Sequence, residues 1–425
     1  MANICVIGTG YVGLSCGACL NSIGHDVVCV DIDHSKVDLL NSSCIPILEE
    51  GLKEIVQRGL ATKSLSFTTN LRQGVESADF IFLCLATPQS TNGSADLSIL
   101  MSAVESISDL VKPGSIVVTK STVPIGTFIE IERVLNRTDV SVTSNPEFVR
   151  EGSAVHDFLH PDRIVIGSHS EEISRRVAGL YTTIDAPILI TDPASAEAIK
   201  HASNSFLAVK LSYINAIAMM CELYGADVLD VAKGIGLDHR IGNGFLNPGP
   251  GWGGSCFPKD TSALLYMANT KEYEFGILRE AIAVNDEIQN RIIEKISYSV
   301  GGSIHDKKIA VWGLTFKANT DDIRDSASIE IITRLLNLGA QIYCYDPVVS
   351  EIPALISQAH LAGSAEDACD GAELMVVLTE WPQFVLVKPS QIAAKMNSLN
   401  VIDCRNILDR ERWIEAGFSH QGLGR

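Results

Sequence analysis

At 425 residues the chain exceeds one ordinary hydrophobic core and calls for two or three domains. With 46% hydrophobic and 20% charged residues it has the composition of a globular enzyme, which excludes disordered and fibrous classes. A net charge of -18 opposes nucleic acid and anionic membrane surfaces, so any anionic ligand must be met by local cations.

Residues 3 to 8 read as an apolar strand, followed by a glycine turn, a helix of small residues to about Ser22, Gly24, and a second strand over Asp26 to Val30 that ends at Asp31. The alternation continues with a buried strand over Asp79 to Leu85, a helix over 96 to 111, and strands over Ser115 to Lys120 and Val140 to Thr143. The apolar run through Phe80 to Ala86 is far shorter than the roughly 18 residues of a membrane span. Met1-Ala2-Asn3 leads straight into a strand without a signal-like basic region, so a cytoplasmic protein with no membrane partner is expected. Asn145-Pro146-Glu147 predicts a helix start, with asparagine as cap and proline in the first turn, which would place Glu147 and Glu151 on one helical face.

From Pro193 the apolar residues take helical spacing over 194 to 234 and again over 276 to 299. Then the opening pattern returns: a strand over Lys308 to Gly313, a helix over Ser326 to Leu338, a stop at Gly339, a strand over Gln341 to Tyr345 ending at Asp346, and strands at 373 to 378 and 400 to 403. The expected fold is α/β, with two doubly wound Rossmann-like domains over 1-192 and 301-425 joined by a helical central segment over 193-300.

Gly8-Thr9-Gly10-Tyr11-Val12-Gly13 fits G-x-G-x-x-G. It follows a strand, opens a helix, and precedes by eighteen residues an acidic residue, Asp31, at the end of the next strand. In that context the glycines let the backbone approach a pyrophosphate, and the carboxylate takes the ribose hydroxyls. Asp31 would repel a 2′-phosphate and no arginine follows closely, so NAD is expected over NADP, although Lys36 weakens the preference. The matching turn at Gly313-Leu314-Thr315 lacks the fingerprint; Lys317 and Arg324 beside it serve either a phosphate or only solvent.

Residues 242 to 256 place six glycines before Cys256, a loop whose backbone must come close to something. Lys259 and Asp260 follow within one turn, and a neighbouring cation raises the thiolate fraction, so Cys256 is either a nucleophile or a structural thiol. Lys200 and Asn204, four apart in a mostly apolar helix, share a face from which an ammonium would stabilise oxyanion charge. The eleven cysteines have no repeating spacing and read as reduced thiols; Cys16 and Cys19 read as core of the first helix, and no metal site is expected.

These residues resemble the nucleotide-sugar 6-dehydrogenases. The matching stretches are Gly8 to Gly13, Ser121-Thr122-Val123-Pro124, Asn145 to Phe148, Pro161 to Gly167, Lys200 to Asn204, Gly253 to Asp260, and Phe316-Lys317 with Arg324, in family order over nearly the whole chain. The resemblance implies a four-electron oxidation of a sugar C6 alcohol with two NAD used in succession. Cys256 would form a thiohemiacetal and then a thioester; Lys200 and Asp260, with Asn204 and Thr122 around a water, would manage oxyanion charge, and Glu147 would act as base. It further implies Thr87, Thr122, Glu151 and Arg324 at the NAD site with Tyr11, Val12, Asp31 and Lys36. The nucleotide-sugar would be held by Glu147, Phe148, Glu151, Lys200, Asn204, Phe245, Leu246, Asn247, Pro248, Gly249, Gly253, Phe316 and Lys317. Arg240 matches a position that reaches across a subunit boundary, which implies a homo-oligomer, most simply a dimer. Pro161 to Gly167 and Arg240-Ile241-Gly242 resemble the branch acting on UDP-glucose, and Ser255 is unlike the branch acting on UDP-N-acetyl sugars. GDP-mannose is the alternative substrate; a two-electron dehydrogenase with a packed thiol and a silent NAD-binding regulator are the alternative classes.

Overall fold

The structure, a computed structural model, describes residues 1–425. Eight strands build the first sheet: β1 Asn3–Ile7, β2 Asp26–Val30, β3 Leu65–Thr68, β4 Phe80–Leu83, β5 Ile116–Thr119, β6 Ser141–Ser144, β7 Ile164–Gly167 and β8 Ile188–Thr191. Their order is β3-β2-β1-β4-β5-β6-β7-β8, parallel except where β6 meets β7. The reversal of strand order between β2 and β4 opens the crevice beyond the carboxyl end of β1, where such sheets bind dinucleotides. β4 and β5 are buried at every position, as strands covered on both faces must be. β1 alternates: Ile4 and Val6 enter one apolar core, Cys5 and Ile7 the other.

The second sheet comprises β9 Lys308–Trp312, β10 Gln341–Tyr345, β11 His360–Leu361, β12 Leu374–Val377, β13 Asn400–Asp403 and β14 Ser419–Gly422. Its order, β11-β10-β9-β12-β13-β14, repeats the same reversal with all strands parallel. Ile309 and Val311 face one core, to which the helix Gly276–Ser299 adds Ile288, Ile292 and Ile296 at four-residue spacing; Ala310 and Trp312 face the other. The two doubly wound sheets expected from the alternation are therefore present.

By its internal contacts the chain divides into two units, Met1–Ser203 with Ser262–Lys271, and Asn204–Thr261 with Glu272–Arg425. The helix Pro193–Tyr224 runs from the first into the second. Its length and composition would suffice to cross a membrane, but it buries Glu197, Lys200, His201, Asn204, Ser212 and Asn215, the polar content of a protein interior.

One sequence expectation fails. No helix starts at Asn145: residues 145 to 150 are irregular, and the next helix is Ala154–Leu159. The Asn145 side chain is committed elsewhere, accepting from Lys120 Nζ at 3.0 Å and Tyr181 Oη at 2.6 Å and donating to the Val165 carbonyl at 2.7 Å. Glu147 and Glu151 accordingly share no helical face.

Candidate active site

In the first unit each glycine of the fingerprint has its own reason. Gly8 has φ +94°, and a Cβ there would stand 2.5 Å from the Cys84 carbonyl oxygen. A Cβ on Gly13 would stand 1.9 Å from the Gly8 oxygen, so helix and turn can pack only without one. A Cβ on Gly10 would meet nothing within 4 Å, the open face a pyrophosphate needs at the start of the helix Tyr11–Ser22. Asp31, at the end of β2, accepts from the Thr9 amide at 2.8 Å and the Thr9 hydroxyl at 2.6 Å, with Lys36 Nζ at 3.3 Å. Burial pushes its carboxyl up, but the hydrogen bonds from Thr9 and Asp33 and the Lys36 charge outweigh this and hold it below the usual value. An ionised acceptor one turn from an open glycine face fits a ribose and its pyrophosphate.

The Thr87 hydroxyl donates to the Thr122 carbonyl at 2.8 Å, which brings two of the expected NAD residues together. Lys200 Nζ and Glu147 Oε1 form a buried ion pair at 2.8 Å, and Glu147 Oε2 accepts from the Val149 amide at 2.7 Å. Beside them the Arg163 guanidinium lies 3.7 Å from the centre of the Phe148 ring. Glu151 sits, partly buried, in the turn before the helix Ala154–Leu159. Beneath Glu147 lies Lys120, held by Asn145 and by Tyr181 Oη at 3.5 Å; burial lowers its pKa.

In the second unit the glycine loop is pinned from several directions. The Gly249 amide donates to Asn215 Oδ1 at 2.9 Å, the Trp252 amide to Asn285 Oδ1 at 2.7 Å, and the Trp252 indole N–H to the Ser212 hydroxyl at 2.9 Å. A Cβ on Gly253 would stand 2.0 Å from the Asp325 oxygen, and one on Gly254 2.8 Å from the Phe316 ring. Phe245, with φ +62°, tilts toward Phe257 at 6.2 Å, and Leu246 is buried. Asn247 and Pro248 complete the loop before Gly249.

The loop delivers Cys256 to the start of the helix Phe257–Thr270, its carbonyl accepting from the Asp260 amide at 3.0 Å. A helix start favours thiolate over thiol. Cys256 is partly exposed; all other cysteines except Cys44 are buried, and burial pushes thiols such as Cys5, Cys369 and Cys404 up to about 12. One turn beyond Cys256, the buried Asp260 accepts from Asn204 Nδ2 at 2.6 Å and pairs with Lys259 Nζ at 2.5 Å.

Lys200, Glu147 and Thr122 thus fall together in one unit, and Cys256, Asn204 and Asp260 in the other. Arg324 and Lys317 also lie in the second unit; the Arg324 guanidinium grips Asp322 at 2.7 to 3.0 Å, and Lys317 Nζ stands 5.6 Å from the Phe316 ring centre. Arg240 is exposed and grips Asp238. Sequence reasoning missed Lys120, Ser212, Asn215, Asn285 and Arg405, whose guanidinium donates to the Leu378 and Phe316 carbonyls at 2.8 and 3.1 Å. Their only signal is a polar side chain inside an apolar stretch.

Fold and site together define an oxidoreductase that uses NAD. The UDP-glucose/GDP-mannose dehydrogenase family matches in three parts: its NAD binding domain over residues 2–185, its central domain over 194–287 and its UDP binding domain over 310–410. The chain is 42% identical over 433 residues to a UDP-glucose 6-dehydrogenase of Rhizobium meliloti (strain 1021), covering 99% of both chains. It is 42% identical over 433 residues to one of Bacillus subtilis (strain 168), covering 100% of this chain and 98% of the other. A UDP-glucose dehydrogenase structure from Pyrobaculum islandicum superposes with a TM-score of 0.92 at 34% identity, covering 100% and 98%. The chain belongs to the UDP-glucose/GDP-mannose dehydrogenase family.

Proposed function

We propose that this chain oxidises the C6 alcohol of UDP-glucose to the carboxylate of UDP-glucuronate through a covalent adduct on Cys256. The observation that carries this reading is the partly exposed thiol at a helix start, one turn from a buried Asp260 held by Asn204 and Lys259. Bound on the turn Gly8 to Gly13, NAD would supply the hydride acceptor, one molecule for each of the two oxidations. The Cys256 sulfur attacks the aldehyde, so the half-oxidised sugar stays attached until its second hydride leaves, and water then cleaves the thioester. The Lys200 ammonium offsets the alkoxide and oxyanion charge, with Thr122 at the same small cavity, and Asn204, oriented by Asp260, supplies a hydrogen-bond donor. Glu147, paired with Lys200 at 2.8 Å, serves as base in the covalent and hydrolytic steps.

The three parts divide the work: 1-192 holds NAD, 193-300 carries the thiol loop, and 301-425 with the residues Phe245 to Gly249 and Gly253 holds the nucleotide-sugar. A cytoplasmic setting suits eleven free cysteines. The protein works as a homodimer, for which the helix Pro193–Tyr224 offers exposed Phe206 and Tyr213.

The decisive experiment follows NADH and product mass with a panel of nucleotide-sugars. Two NADH per UDP-glucose and a mass gain of one oxygen for two hydrogens are expected; one NADH per sugar defeats the covalent scheme, and turnover only with GDP-mannose defeats the choice of base. Cys256→Ser should abolish acid formation, by about 10³-fold or more, with NAD affinity unchanged by calorimetry. Full activity in that variant removes the sulfur from the mechanism.

A further inference from the structure

The helix that carries Lys200 also buries a carboxylate that the reaction above does not use. Glu197, one turn before Lys200, is 3% exposed, and both of its oxygens are engaged. Oε2 accepts from the Gly126 amide at 2.6 Å; Oε1 accepts from the Phe128 amide at 3.0 Å and the Ser144 hydroxyl at 3.3 Å. Gly126, at φ +98°, precedes the helix Thr127–Leu135, which has no side-chain cap of its own, so a carboxylate from elsewhere in the fold satisfies its first amides. One turn further along, His201 Nε2 lies 2.9 Å from the Val123 carbonyl oxygen. The segment directly after Thr122 is thereby fastened at both ends to the helix of Lys200. Thr122, Ser144, Glu197 and Lys200 line one small cavity with room for about one water.

We propose that Glu197 is a positioning residue for the oxidation: its ionised carboxylate clamps the turn from Val123 to Phe128 and so fixes Thr122 at the cavity it shares with Lys200, where one water joins the two. This rests on the reading of Thr122 and Lys200 as groups of the active site. An anion serves the place best, because each oxygen faces a backbone N–H; an amide would turn a donor against a donor, and a carboxylic acid would weaken one of the two contacts.

Burial drives the Glu197 carboxyl up from 4.5 to about 7, against the hydrogen bonds that lower it. Its folded value lies above the unfolded one, so the stability this group contributes is present below the unfolded value and is lost as pH rises through about 7. The clamp has the opposite sense, closing as the carboxyl ionises. Facing groups are Lys200 and His201 on the same helix, Lys120 and Glu147 beyond the ends of β5 and β6, Glu130 on the clamped helix, and His169, whose ring packs against Phe128 at 5.3 Å.

The test measures NADH formation with UDP-glucose from pH 6 to 9 in the full-length protein and in Glu197→Gln. In the unaltered protein kcat should fall with pH below an inflection near 7. The variant should lose that inflection, show kcat about ten-fold lower at pH 8, and keep its KM for UDP-glucose within about two-fold. An inflection that persists in Glu197→Gln overturns the proposal, whatever its kcat. No NADH from the unaltered protein would instead overturn the assigned reaction. Should the variant not fold, hydrogen exchange in the unaltered protein decides: corrected for intrinsic rates, the amides of 125 to 130 should lose about ten-fold protection between pH 8 and pH 6, and equal protection at both overturns the clamp.

Discussion

In the ribose-binding role expected of it, Asp31 would select its cofactor by charge and by the donors it has left to accept. Its oxygens already take the Thr9 amide and hydroxyl and the Asp33 amide, which fix the carboxylate at the end of β2 in its ionised form. A ribose diol can add donors to such a group, whereas a 2′-phosphate would bring a second anion against it. Asp31→Ala should therefore raise KM for NAD by about ten-fold, the loss of one hydrogen bond to a charged group, and narrow the preference over NADP. Steady-state rates with the two cofactors check this, and an unchanged preference would count against the ribose role. The same geometry recurs in the second sheet with the opposite outcome. Asp346, at the end of β10, is 3% exposed and accepts from the Leu314 and Thr315 amides, the Thr315 hydroxyl and the Trp381 indole. With protein donors on both oxygens, Asp346 ties that turn to the end of β10. At this scale the fingerprint was legible because its constraints are local: a turn, an open face and a close approach within six residues. Lys120, Asn285 and Glu197 were not, because their partners lie 25, 33 and 71 residues away in the chain.

Among the elements, strands buried on both faces were readable as apolar runs, and β1, β2, β4, β5, β6, β9, β10, β12 and β13 fall within about two residues of expectation. β3, β7, β8, β11 and β14 escaped notice. β14 reads Ser-His-Gln-Gly, and β8, an edge strand, leaves Ile188, Leu189 and Ile190 exposed. The false helix start at Asn145 had the right local grammar but lost its cap to Lys120 and Tyr181, a tertiary demand that no local pattern reveals. The helix Pro193–Tyr224 carries a further message on its outer side. Ala202, Phe206, Val209, Tyr213, Ala216, Met220 and Leu223 recur at alternating four- and three-residue steps, and Phe206 and Tyr213 are 65% and 57% exposed. That is the spacing a helix pair uses, and in the proposed dimer a second copy of the same helix would be its simplest complement. Phe206→Glu combined with Tyr213→Arg should convert a dimer to monomers in sedimentation velocity with the helical circular dichroism retained. A dimer that survives both changes places the interface elsewhere.

For the molecule as a whole, the problem is a chain of net charge -18 that must attract a sugar diphosphate. The cations near the expected sites are not idle: Lys259 holds Asp260, Arg324 holds Asp322 and Arg240 holds Asp238, each pairing with a carboxylate one or two residues away. Such pairs keep the local field nearly neutral; Asp260 and Asp322 are buried, whereas the open Arg240–Asp238 pair holds together by only about 0–1 kcal/mol, so a stronger anion can compete for that guanidinium. Arg240 is the most exposed of them, its side chain 78% accessible, and is best placed to leave Asp238 for a ligand held by a neighbouring copy. If it acts across a dimer, each site needs Cys256 from one chain and Arg240 from the other. Cys256→Ser and Arg240→Ala homodimers should then both be inactive or nearly so. Heterodimers of the two, co-expressed with different tags and purified through both, would contain one site with neither defect and one with both, and should recover about half of the unaltered specific activity. An arginine acting within its own chain leaves every site in that heterodimer defective, and activity no higher than in the two homodimers would assign it so.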